Sequence, residues 1–330
     1  IDDVYVCSGE VVEVDFSNTN TQGTTQYSWT NDNNSTGIPL SGIGSNTLSP
    51  GGVFNTTSEP QVSTITVTPE LTFQGQTTTG PSETFTVTVN PSAQVNQVDD
   101  VTLNDGEDIA IDFLTSNVSG VTTYEWTNNI SSIGLAPSGV GNIPSFTAMN
   151  TGLIPLVATI QVTPTFTNGA ESCEGSPISF SITVNPSADV VVPVNQTVCN
   201  SGSTNSVNFT SANNSGSTTY EWTNTNPSIG LGASGSGNIP SFVALNSGNI
   251  PVVASFTVIP IYTNAGVSCS GPSETFTITV NPTAELNTPI SQVLCNGQDI
   301  NLVSFSSNNL GGTTTYSWLN SNTTIGLAAN

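Results

Sequence analysis

The chain has 330 residues, of which 23 are Asp or Glu and none is Lys, Arg or His, for a formal charge of -23 at pH 7. A soluble domain is ordinarily about 25% charged, so on the order of 40 Lys and Arg would be expected at this length. Their absence excludes binding to nucleic-acid phosphates, attraction to anionic lipid, and catalysis built on imidazole or amine, including Ser-His and Cys-His nucleophiles, Schiff bases and Lys-Asn isopeptide bonds.

What remains suits a folded, exported, non-enzymatic protein. An apolar share of 35% can supply real cores, and no apolar run approaches the length of a membrane span. Residues 1–10 lack the basic start of a signal peptide, as expected of a segment cut from a longer precursor. Five Cys beside 30 Gly and 20 Pro fit a disulfide-bearing extracellular protein.

Taken in chain order, the sequence repeats. Tyr27-Ser28-Trp29 returns as Tyr124-Glu125-Trp126, Tyr220-Glu221-Trp222 and Tyr316-Ser317-Trp318, so successive Trp are 97, 96 and 96 residues apart. Val-Asn-Pro closes each unit at Pro91, Pro186 and Pro282. A fixed period declares an array, with expected units 1–91 (lacking its opening residues), 92–186, 187–282 and an incomplete 283–330. The segment reads as a window on a longer array, or as a subunit whose broken ends neighbours complete.

Within units the period is that of strands. Phe85, Val87 and Val89 alternate with Thr84, Thr86 and Thr88; Ile160 and Val162 with Thr159 and Thr163; Phe276, Ile278 and Val280 with Thr275, Thr277 and Thr279. No helical stripe appears, and Gly, Asn, Ser and Pro clusters recur every eight to twelve residues. About seven short strands per unit, with Tyr-x-Trp on a central one, predict an all-β immunoglobulin-like sandwich with Trp29, Trp126, Trp222 and Trp318 in its cores. Thr, Ser and Asn take the solvent face that other proteins give to Lys and Glu, keeping strand propensity without charge.

Cys7, Asn104, Cys199 and Cys295 share one repeat position; Thr78, Cys173 and Cys269 share another. Pairing within units would strand two cysteines. Pairing across unit boundaries joins Cys173 to Cys199 and Cys269 to Cys295, leaving Cys7 to a Cys upstream. That pairing requires the Asn-Pro segments to be hairpins. If instead strands continue in one direction from unit to unit, the distances exceed the disulfide limit and the pairing differs.

Asp2, Asp3, Glu10 and Asp15 align with Asp99, Asp100, Glu107 and Asp112, an acidic set without cationic partners. It is read either as a Ca²⁺ site or as a solvated acidic face; no other cofactor is expected. Glu125 and Glu221 lie in different units and read as exposed strand residues rather than a glycosidase pair.

The recurring Tyr-x-Trp-Thr-Asn, Ser-Ile-Gly-Leu (132–135, 228–231), Gly-Asn-Ile-Pro-Ser-Phe (141–146, 237–242), Val-Thr-Pro and Thr-Val-Asn-Pro strings resemble the PKD-like, Ig-like tandem repeats of giant Bacteroidetes surface proteins of the gliding-adhesin kind. The resemblance implies type IX secretion, a cell-surface filament, partners among neighbouring repeats, and adhesion to an external surface or glycan. The first unit departs most, between Ser41 and Gly51. The composition itself generates a test: trypsin should leave the chain intact even when denatured, whereas a Glu-specific protease should fragment it, as read by mass spectrometry.

Overall fold

The computed structural model describes residues 1–44 and 46–330, which fall into two compact units, Ile1–Asn150 with Pro155–Asn185, and Thr151–Ile154 with Pro186–Asn330. In the first unit, strands β1 (Val4–Cys7), β2 (Val11–Asp15), β3 (Thr24–Asn31), β4 (Ser41–Gly44), β5 (Thr47–Gly52), β6 (Gln61–Phe73), β7 (Gln76–Thr79) and β8 (Glu83–Asn90) make one sandwich. β9 (Val101–Asn104), β10 (Asp108–Ile111), β11 (Val121–Asn128), β12 (Ser138–Val140), β13 (Ile143–Thr147), β14 (Leu156–Asn168), β15 (Glu171–Glu174) and β16 (Ile178–Asn185) make a second. The other unit holds β17 (Gln196–Cys199), β18 (Ser217–Asn224), β19 (Ser234–Ser236), β20 (Val252–Asn264), β21 (Val267–Ser270) and β22 (Glu274–Asn281).

The three main sheets share one order: β1-β8-β6-β3-β4, β9-β16-β14-β11-β12 and β17-β22-β20-β18-β19. Opposite them lie the small sheets β2-β5 and β10-β13 and, in the third repeat, the bridges Ser203–Val243 and Val207–Ile239. This is a tandem immunoglobulin-like sandwich architecture. Tyr-x-Trp lies on the central strand, and Trp29, Trp126 and Trp222 are buried in three separate cores. Each indole lies over a glycine of the paired strand: Trp29 faces Gly42, Trp126 faces Gly139 and Trp222 faces Gly235. A Cβ on Gly139 would come within 2.3 Å of the Trp126 ring, so only glycine lets the indole close the sandwich.

The first strand of every main sheet is parallel to the last: Val4 to Cys7 run beside Val87 to Asn90, Val101 to Asn104 beside Ile182 to Asn185, and Gln196 to Cys199 beside Ile278 to Asn281. β8 thus has β1 on one edge and β6 on the other, and β16 and β22 are enclosed in the same way. No edge is left for a hairpin partner after Asn-Pro, which overturns the hairpin reading of those segments.

The long strands depart from the short ones expected, because each runs 13 residues through a proline: Pro69, Pro164 or Pro260. The carbonyl of Pro69 accepts the Gly80 N–H at 2.8 Å, so its nitrogen faces the same edge, where β6 changes partner from β8 to β7. No ladder donor is required at that gap.

Asparagine organises the turns. Asn31, Asn128 and Asn224, each ending a Trp-Thr-Asn, donate their amide N–H to the carbonyls of Ile38, Leu135 and Leu231 at 2.9, 3.0 and 3.2 Å. Between them single 3₁₀ turns end at Gly37, Gly134 and Gly230 in left-handed conformation. Deeper in, Asn55 and Asn246 donate to the last-strand carbonyls of Val89 and Val280, both at 2.8 Å.

Residues 283–330 differ. Trp318 is 40% exposed and Ile325 69%, against 7% and 0% for their counterparts Trp222 and Ile229. Trp318, expected in a core, is exposed among the described residues.

Two variants test the packing. Gly139→Ala should destabilise its sandwich by about 1–3 kcal/mol through overpacking. Asn55→Ala should cost about as much by orphaning buried carbonyls. Each would lower the melting temperature by several degrees in calorimetry, while an exposed Glu125→Gln change should leave it unmoved.

Candidate functional site

Of the residues singled out by sequence, Cys7, Cys173 and Glu10 come together at the join between the two sandwiches of the first unit. Cys7, at the end of β1, is bonded to Cys173 on β15, with Cα atoms 5.5 Å apart and a sequence separation of 166. Cys173 is buried beneath the sheet, opposite Phe166 on β14. Around the bond, Asn168 donates its side-chain N–H to the Asn90 side-chain oxygen at 2.9 Å, and Asn90 donates to the Asn168 carbonyl at 3.2 Å. The Val118 N–H reaches the Ser58 carbonyl at 3.0 Å. Gly169 lies against the Tyr5 ring, where a Cβ would approach to 2.5 Å. Gly175 passes so close to the Ala93 carbonyl, just after Asn-Pro, that a Cβ would stand 1.9 Å from its oxygen.

This bond corrects the expected pairing. Cys173 is joined to Cys7, not to Cys199, and Cys7 finds its partner downstream rather than upstream. Cys199 and Cys295 are exposed thiols, and Cys269 is a half-buried thiol whose Sγ lies 3.4 Å from the Pro186 carbonyl. The cause is the parallel pairing above, which sends the first strand of one sandwich toward the next instead of turning the last strand back on itself. One signal in the sequence pointed here. The first repeat has Thr78 where the second has Cys173, and the second has Asn104 where the first has Cys7, so each supplies the cysteine that the other lacks.

The acidic set is dispersed. Asp3 accepts the Thr86 N–H at 2.8 Å, Asp100 the Ser181 N–H at 2.7 Å, Glu10 the Cys7 N–H at 2.8 Å and Glu107 the Asn104 N–H at 2.9 Å. Asp15 accepts from the Thr47 hydroxyl and Asp112 from the Asn142 amide; Asp2 and Asp99 are exposed. Among the described residues no three of these carboxylates lie within ligating distance, and the one tight group, Cys7, Glu10 and Glu171, includes a sulfur already in a disulfide. The carboxylates are strand-edge acceptors, and the calcium reading is not carried further.

The backbone N–H groups of Thr86 and Ser181 hold the Asp3 and Asp100 carboxyls below the usual 3.8. In the third repeat Asn195 takes the same place and accepts the Thr277 N–H at 2.7 Å, a bond that does not titrate. Of the Asn-x-Ser/Thr sequons at Asn55, Asn117 and Asn208, the first two are buried with their side chains hydrogen-bonded and Asn208 is exposed.

The second candidate surface is the outer face of the main sheets. Register places Thr30, Thr66 and Thr84 in one row and Thr64 beside Thr86; in the third repeat Thr223, Thr257 and Thr275 form the matching row. The result is a neutral surface of hydroxyls and methyls. Glu125 and Glu221 lie exposed on their strands, with no partner group for catalysis beside them in a chain without His, Lys or Arg.

Strand order and paired sheets define the class, a tandem Ig-like β-sandwich protein. No protein-family model matches the chain, and no curated protein does. Several solved structures are similar in outline. They include the I9–I11 tandem of titin (12% identity, 86% of this chain and 97% of that one, TM-score 0.26) and mouse cadherin-23 EC22–24 (11%, 81% and 89%, 0.33). A third is the three N-terminal domains of the bacteriophage RB49 highly immunogenic outer capsid protein (12%, 84% and 95%, 0.40). TM-scores this low carry no argument about function, and no helix among the described residues is long and apolar enough to cross a membrane.

The lowered Asp3 and Asp100 values set a pH dependence with a defined sign. A carboxyl depressed by folding stabilises the fold above its unfolded value and loses that contribution as pH falls through the folded value. Melting temperature should therefore drop as pH is lowered from about 4, and the double variant Asp3→Asn, Asp100→Asn should flatten this slope, as thermal denaturation followed by circular dichroism would show.

Proposed function

We propose that this chain is the structural and adhesive repeat region of a very long bacterial cell-surface filament protein of the gliding-motility adhesin type, exported by the type IX route. The observation that carries the proposal is the covalent and hydrogen-bonded join between consecutive sandwiches, built from Cys7–Cys173 and the Asn90–Asn168 pair. A soluble binding module has no need to lock its neighbour, whereas a fibre does. The parallel pairing of first and last strands supports the same reading. Tension drawing the start of β17 and the end of β22 in opposite directions loads their hydrogen bonds together in shear, rather than one by one. Titin and cadherin-23, named among the similar structures, supply only the general picture of tandem sandwiches. The neutral Thr rows offer the external surface or glycan a face without charge to desolvate.

A second reading is a filament assembled from many copies by β-strand addition between subunits.

The intact mass of the denatured, reduced chain from native material separates the two. A mass of several hundred kDa supports one giant chain, and a mass near 34.0 kDa supports the filament of copies. Adhesion is tested with beads coated in the purified chain on glass and on polysaccharide films under flow. Retention is expected, and beads that wash off like uncoated ones would sink the adhesive reading.

A further inference from the structure

We infer that the Cys7–Cys173 bond is a tension bypass, which keeps the polypeptide between the two cysteines out of the line of force when the chain is pulled from its ends. The argument is topological. Cys7 lies at the end of the first strand of one sandwich, and Cys173 lies near the end of the next, with only β16 of that sandwich following it. Force entering through residues before Cys7 reaches the sulfur-sulfur bond before it reaches Ser8, and leaves through Cys173 toward Asn185. A covalent link between two points of a chain takes the tension of the loop it closes, so everything from β2 to β14 stays slack. Of these two sandwiches, only β1 and β16 remain in line.

Independent features hold the two sulfurs together. The Asn90–Asn168 exchange and the Ser58–Val118 bond fix the register of the two sandwiches from other strands and loops. The carboxylates of Glu10 and Glu171 lie within 4.8 Å of each other and of the Cys7 sulfur. No cation accompanies them in this chain, so they repel one another across the join, and they also repel an attacking thiolate. The bond therefore holds the two sandwiches against local repulsion and is shielded from exchange with anionic thiols. Moving one repeat along the chain, the same register falls on Asn104 and Cys269, and asparagine forms no disulfide. Among the described residues the bypass is formed between the first and second repeats.

The inference rests on the reading of the chain as a filament under tension, and its test is independent of adhesion. The full chain is held by handles at its two ends in a single-molecule force experiment, with and without dithiothreitol. The sequence separation of 166 between the two cysteines corresponds to about 560 Å of extended chain at 3.3–3.6 Å per residue. Reduced molecules should therefore reach a total contour length longer by about 560 Å than oxidised ones, and Cys7→Ser should match the reduced length without reductant. Equal lengths in the oxidised and reduced states would overturn the inference, as would a Cys7→Ser chain that keeps the shorter length. If the length difference appears but coated beads fail to adhere, the filament reading alone falls; if beads adhere and no difference appears, the bypass alone falls.

Discussion

A protein without a single cationic side chain has to satisfy every buried acceptor and every carboxylate with amides and hydroxyls. The rest of this structure follows from that constraint. Where another sandwich would tie a loop with an Arg-carboxylate pair, this one uses asparagine, whose side chain both donates and accepts. Asn31 braces the turn after the central strand from within, and Asn55 crosses from a loop to the carbonyl of Val89. Asp3, Asp100 and Asn195 fill one geometric role in successive repeats, since acid and amide accept the same strand N–H. Charge is kept at the surface, where mutual repulsion favours an extended, soluble chain.

Two further devices make the sandwiches closed bodies. The main sheet brings the first strand beside the last, so both chain ends of a repeat are hydrogen-bonded to each other. The indole then seals the open side of the central strand against a glycine of its neighbour. Trp126 and Trp222 leave their ring N–H groups without an acceptor, which indicates that apolar closure outweighs a lost hydrogen bond at these positions.

Much of this was legible in the sequence, for physical reasons. The 96-residue spacing of the Trp residues and the Thr alternation report strand period and burial directly. Sandwich class, the main-sheet strands and the buried Trp of three repeats could therefore be read one residue at a time. The disulfide could not be read that way, because symmetry of Cys173 and Cys199 about Pro186 looks like hairpin register until one knows that both edges of the preceding strand are occupied. The 13-residue strands through Pro69, Pro164 and Pro260 were not legible as such, because the change of partner beside each proline is a property of the sheet. The acidic set looked like a metal cluster because aligned positions in sequence need not be neighbours in space. Trp318 carries the same local signature as Trp222 yet is exposed among the described residues, because burial is set by neighbouring strands and not by the local string.

The bond from Cys7 to Cys173 has a consequence for heredity as well as for mechanics. Arrays of near-identical repeats gain and lose copies by recombination, one period at a time. In this stretch the first repeat carries the forward-reaching cysteine and the second the receiving one, while Cys269 of the third repeat holds the same receiving position. Loss of the second repeat would bring Cys269 into register with Cys7, so the crosslink can outlive the repeat that supplies it, provided the repeat that moves up carries a cysteine at that position.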